Sequence, residues 1–145
     1  GGPRAGPAPP LSAFLPVLAR RGPDGTRVVT RAGGALTLGG SLLRVRGPAP
    51  LGQYEAVLEA PGGDALAFNG EVFGGAVAVG EGETDTRALL EALRGATDVP
   101  GLLAGLHGPR AAAYWREAEG ALYVSRDPLG RRSLLLRRPT AGDGR

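Results

Sequence analysis

The sequence predicts an α+β domain in which antiparallel strands carry a helical layer, and three observations predict it. Apolar residues recur at helical spacing in only three short stretches, each bounded by Gly or Pro. Around the later two run brief apolar segments broken by turn sequences, so strands precede a pair of helices and follow them again. Gly at 26 and Pro at 13 residues of 145 demand many turns and disfavour a helical bundle.

Residues 1–10, GGPRAGPAPP, read as a flexible arm, because four prolines and no apolar periodicity give nothing to pack. Leu11, Phe14, Leu15 and Leu18 then fall at i, i+3, i+4 and i+7, the stripe of a short amphipathic helix with Ser12 available as its cap. Pro16 stands near the end of the first turn, where its missing N–H costs little. Arg20 and Arg21 complement the helix end, and Gly22-Pro23 stops it. From Gly25 the pattern turns to short runs, TRVVTR, GALTL and SLLRVRG, followed by YEAVLEA and ALAF flanking a Pro-Gly-Gly-Asp turn, the clearest hairpin signal in the chain.

After FNGEVFGG, Thr84 or Asp85 can cap a helix whose apolar face is Leu89, Leu90 and Leu93 and which Gly95 ends. A second helix follows, with Val99, Leu102, Leu103 and Leu106 as its stripe, Asp98 as its cap and Gly108 as its stop. The rest returns to strands: RAAAYWRE turns at EAEG into ALYVSR, and DPLG turns into RRSLLLRR. One domain is expected over residues 11–138, with PTAGDGR, 139–145, as a linker or tail.

Composition removes several function classes. The formal net charge is only +3, and every basic side chain is Arg, so the high pI of about 10.2 reflects compositional drift rather than a phosphate-binding patch. Only Arg131, Arg132, Arg137 and Arg138 cluster, and strand alternation would divide them between two faces; no nucleic-acid partner is expected. The absence of Cys excludes disulfides and thiolate metal sites within these residues, and a single His makes a His-based metal centre unexpected. LSAFLPVL is too short and too Pro-broken to span a bilayer, so a cytoplasmic protein without a membrane partner is expected. The chain has no Met, which suggests that it begins inside a longer protein.

Taken in order, RRGPDG, FNGEV, TDTRALLEAL and SRDPLGRRSLL resemble the class II (N-terminal-nucleophile) glutamine amidotransferase domain of the asparagine synthetase family, over residues 11–138. The resemblance implies an αββα sandwich of two antiparallel sheets between helical layers. It implies hydrolysis of the glutamine side-chain amide, releasing ammonia for asparagine synthesis. In that family an N-terminal Cys attacks the carbonyl carbon, and its own α-amine, which titrates at about pH 8, is the general base. Asn69 and Gly70 match the oxyanion hole; Asp85 matches the acid that holds the substrate α-ammonium, with Glu71 beside it. An arginine before the NGE motif would take the α-carboxylate, and Arg44 stands at a fitting distance, although Arg46 is adjacent and one residue of register exchanges their faces. Arg21, Gly22, Pro23 and Asp24 match a loop that frames the pocket. Arg126 and Asp127 open the turn before the last strand, with Gly130 supplying its permissive conformation. Taken alone, Asn69-Gly70 also suits an ordinary turn, and Asp85 a plain helix cap.

Two departures from the family pattern stand out. No Cys is present among the 145 residues, so the polypeptide as it stands should not hydrolyse glutamine. Either the nucleophile lies upstream, or the domain survives as an inactive pseudo-glutaminase that binds glutamine or another domain. Nor is there a Ser-Gly-Gly-type pyrophosphate loop. No cofactor is therefore expected in this domain; ATP and Mg belong to a C-terminal synthetase-like domain, the expected partner besides glutamine. His107 with Ser125 or Ser133 invites a serine triad, but no nucleophile-elbow pattern surrounds either serine.

Overall fold

A computed structural model describes residues 11–43 and 56–134. The Pro/Gly arm, Arg44, Arg46, the last part of RRSLLLRR and the tail lie outside the described residues.

Helix α1, Leu11–Arg21, takes in the Ser12 position within its span. Its stripe is covered only in part: Leu15 and Leu18 are half-buried, while Phe14 is exposed. The helix lies against a hairpin of only two strands. The Gly22 amide donates to the Leu18 carbonyl at 3.0 Å, and the Asp24 amide to the Leu42 carbonyl at 3.0 Å, so the RGPD turn is fastened to the far end of that hairpin.

The hairpin pairs β1, Gly25–Arg31, with β2, Leu36–Leu42, in antiparallel register with Val29 opposite Leu38. Period-2 alternation turns these two side chains inward, where they meet Val57, Ala65 and Trp115 in a compact apolar cluster. Arg27 and Arg31, on the same side of β1, both pair with Glu59 and pin the hairpin to the neighbouring sheet. Hydrogen bonds from Arg31 and then Arg27 hold the Glu59 carboxyl below its usual range, against the opposing effect of burial.

The main sheet has four antiparallel strands in the order β3-β4-β7-β8: β3, Val57–Glu59; β4, Ala65–Gly70; β7, Arg110–Arg116; β8, Ala121–Arg126. The Pro-Gly-Gly-Asp turn joins β3 to β4 as its sequence predicts. One face of the sheet carries the hairpin. The other carries α2, Asp85–Gly95, and α3, Val99–Ala104, over a larger core that includes Leu58, Leu66, Leu89, Leu90, Leu93 and Tyr114. The architecture is α+β with antiparallel sheets, and the strand β7 at its centre is buried on both faces.

The end of α3 and the segment after the SRDPLG turn differ from the sequence expectation. Helix α3 ends at Ala104 with Gly105 as its cap, not at Gly108. Leu106–His107 forms a short strand, β6, paired with β5, Gly74–Gly75; the Phe73 amide reaches the His107 carbonyl at 2.8 Å and the Ala76 amide the Gly105 carbonyl at 2.9 Å. His107 therefore stands in a strand and does not end a helix. Helix α2 is capped by Thr84 and ends at Gly95, as the sequence predicts. Finally, Arg131–Leu134 is not strand, because Asp127 captures the Arg131 amide at 3.1 Å. Among the described residues no helix is long and apolar enough to cross a membrane.

Candidate functional site

Register brings the sequence motifs to one end of the main sheet. Asn69 and Gly70 close β4 opposite Ala111 and Arg110, which open β7, and Ala111 in turn pairs with Arg126 at the end of β8. Along β4, Leu66 and Phe68 face the helices while Ala65 and Ala67 face the hairpin. Asn69 follows the second set by alternation, so it stands on the inter-sheet side of the strand. It is exposed, and among the described residues its amide has no hydrogen-bond partner.

Gly70 has a local reason to be glycine. A Cβ there would run into the Pro109 carbonyl oxygen and the Arg110 backbone, so only a residue without a side chain allows the two strands this close. The Glu71 amide then donates to that same Pro109 carbonyl at 2.9 Å, which leaves the exposed Glu71 side chain beside the strand end.

The N-terminus of α2 is fastened to the same segment. Asp85 is its first residue; one carboxylate oxygen accepts the Thr86 amide at 2.8 Å, and the other accepts the Val72 amide at 3.0 Å. A carboxylate at a helix N-terminus is favoured by the exposed N–H groups there. Here it also bridges FNGEV to TDTRALLEAL. The four residues Asn69, Gly70, Glu71 and Asp85 are thus gathered around one strand end, whereas Arg44 and Arg46 are outside the described residues. Arg21, Pro23 and Asp24 are exposed, and Gly22 is buried against the Ser41–Leu42 backbone at the end of β2.

Asp127 is buried and faces backbone donors rather than solvent. Its oxygens accept the amides of Arg110 at 3.1 Å, Arg131 at 3.1 Å and Arg132 at 3.5 Å. Burial pushes its carboxyl up, but the N–H groups of Arg131, Arg110, Arg132 and Gly130 outweigh burial and bring it down to about 2. Gly130, at φ +64°, closes the turn by donating to the Asp127 carbonyl at 2.9 Å.

Sequence reasoning missed Arg110. It is 3% exposed, and its guanidinium donates to the Leu106 carbonyl at 2.9 Å and the Leu103 carbonyl at 2.6 Å, at the C-terminal end of α3. The available signal was an Arg opening an apolar strand run, RAAAYW, directly after Gly-Pro.

Two curated proteins match this chain over most of its length. Asparagine synthetase domain-containing protein 1 of Gallus gallus is 32% identical over 137 residues, covering 88% of this chain and 20% of that protein. The Bos taurus protein of the same name is 32% identical over 123 residues, covering 81% of this chain and 18% of its own length. The chain is related to asparagine synthetase domain-containing protein 1. It spans about a fifth of the length of these asparagine synthetase domain-containing relatives. No family model and no solved structure matches it.

Proposed function

We propose that residues 11–138 are the glutamine amidotransferase domain of an asparagine synthetase-like protein, built as an N-terminal-nucleophile-hydrolase sandwich. The observation that carries this reading is the convergence of FNGEV and TDTRALLEAL at one sheet end through the Asp85–Val72 hydrogen bond. Around it, the exposed Asn69 amide is a free donor on the inter-sheet side, and Asp85 and Glu71 supply the negative charge that an α-ammonium requires.

In this proposal a Cys thiol that the 145 residues do not contain attacks the glutamine amide carbon. Its own α-amine takes the thiol proton and passes it to the leaving ammonia; water then cleaves the thioester. Asn69 and Gly70 donate to the oxygen that becomes negative in each tetrahedral intermediate. Arg44, or Arg46, binds the α-carboxylate. ATP and Mg act in a C-terminal synthetase-like domain that receives the ammonia, and this domain itself needs no cofactor.

The test is ammonia release from glutamine by the full-length protein. Asn69→Ala should lower kcat by about 100- to 1,000-fold with a smaller change in KM, because the lost donor acts on the developing charge. An unchanged kcat in that variant would remove the oxyanion-hole role. The lack of Cys favours one second reading, a pseudo-glutaminase that binds glutamine or packs against a partner domain without hydrolysis. Calorimetric binding of glutamine with no ammonia release by the full-length protein would select it.

A further inference from the structure

At the same sheet end, along the edge strand β8, a cavity of about 390 Å³ opens against α3. Its walls combine Pro100 and Leu103 from the helix with Tyr123, Ser125 and Arg126 from the strand, and Arg110 contributes to the lining. None of Asn69, Gly70, Glu71 and Asp85 lines it, so this cavity is distinct from the glutamine site proposed above.

Arg110 leaves a charge unanswered beside this cavity. Its two terminal nitrogens are taken by the Leu106 and Leu103 carbonyls, but its Nε is buried without a hydrogen-bond partner. Among the described residues no carboxylate stands within ion-pair distance of the guanidinium. Asp127 binds the Arg110 backbone amide and offers its oxygens to the Arg131 and Arg132 amides as well. The Nε of Arg132, on that same turn, is also buried and unpartnered. Two carbonyl dipoles ease the burial of a guanidinium but do not neutralise it, and an unpaired buried cation is costly.

We propose that the α3–β8 cavity binds a small organic oxyanion, a carboxylate or a phosphate monoester. Arg110, Arg126 and Ser125 are its polar contacts, and Pro100, Leu103 and Tyr123 hold an apolar portion of the ligand. Arg110 supplies the buried charge and Arg126 the exposed rim. A guanidinium pair suits either oxyanion, because each presents two or more acceptor oxygens to planar N–H donors. The apolar wall sets the ligand apart from inorganic anions, since it rewards a hydrocarbon or aromatic body attached to the charge.

The experiment titrates the intact protein with phenyl phosphate and, separately, with benzoate, at constant ionic strength held by NaCl, and reads calorimetric heat and thermal midpoint. At least one probe should bind saturably and raise the midpoint, and the stronger one identifies the class of oxyanion. Arg126→Ala should weaken that binding about tenfold, the loss of one charge-assisted hydrogen bond, and Arg110→Met should abolish it. If neither probe raises the midpoint above NaCl alone, or if both variants bind like the parent, the proposal is overturned. Should Arg110→Met fail to fold, Arg126→Ala and Ser125→Ala decide the matter, and unchanged affinity in both overturns it.

Discussion

The carboxylate of Asp127 accepts the amides of Arg110, Arg131 and Arg132, and protonation would turn one of its acceptor oxygens into a donor facing an N–H. Its folded value of about 2 lies below the ordinary value for Asp of about 3.9, so the carboxylate form is the one that folding favours. The stability it contributes is fully present above about pH 4 and is lost as the pH falls toward 2. Asp127→Asn, which keeps the shape but replaces one acceptor with an amide donor, should lower the thermal midpoint at pH 7 by several degrees. It should also remove the part of the acid-induced loss that Asp127 causes. Thermal melts followed by circular dichroism from pH 7 to pH 2 check both, and an acid limb identical to that of the parent would contradict the assignment. The turn chemistry of SRDPLG was legible because Asp, Pro and Gly each act on the nearest backbone. That Arg110, seventeen residues earlier, sends its amide to the same carboxylate was not legible, since nothing local marks such a partner.

Asp64 does at the level of elements what Asp127 does at the level of a turn. It ends the Pro-Gly-Gly-Asp turn between β3 and β4, where its carbonyl accepts the Ala60 amide at 2.9 Å. Its side chain then leaves the hairpin: one oxygen accepts the Tyr114 hydroxyl of β7 at 2.8 Å, and the other accepts the Glu117 amide at 2.9 Å, at the turn into β8. Two hairpins are thereby locked to each other. Burial, followed by the Asp64 hydrogen bond, pushes the Tyr114 hydroxyl up to about 12 against the pull of Arg116. Asp64→Ala should cost about 2 kcal/mol, Tyr114→Phe about 1 kcal/mol, and the double variant less than their sum, because both remove one shared bond. Urea unfolding of the four proteins measures the cycle, and strict additivity would show that the two side chains act separately. The hairpin itself was readable, since a four-residue turn between apolar runs is a local signal. The boundary of α3 was misread for the opposite reason: three glycines at 101, 105 and 108 offer equivalent local stops, and only the pairing of Leu106–His107 with Gly74–Gly75 selects among them.

Across the whole molecule the two faces of the main sheet are covered unequally. The helical face buries Leu58, Leu66, Leu89, Leu90, Leu93 and Tyr114 almost completely, whereas the hairpin face buries a smaller set around Val29, Leu38 and Trp115. On that second face Leu122 and Val124 of β8 remain 42% exposed, because two strands cannot cover four. Helix α1, beyond, leaves Phe14 and Val17 exposed as well. Order of opening should follow burial, since local unfolding releases first the units with the fewest buried apolar contacts. The unit formed by α1, β1 and β2 is held to the sheet by its small apolar cluster and by the pairing of Arg27 and Arg31 with Glu59, and part-exposed ion pairs add little. Native-state hydrogen exchange should therefore find amides of β1 and β2 exchanging through a sub-global opening, while β4 and β7 exchange only with global unfolding. Glu59→Gln should speed exchange in β1 and β2 selectively, because it removes the charge that both arginines share. Equal protection in the hairpin and in β4 and β7 would mean that the inter-sheet cluster couples the two layers into one cooperative unit.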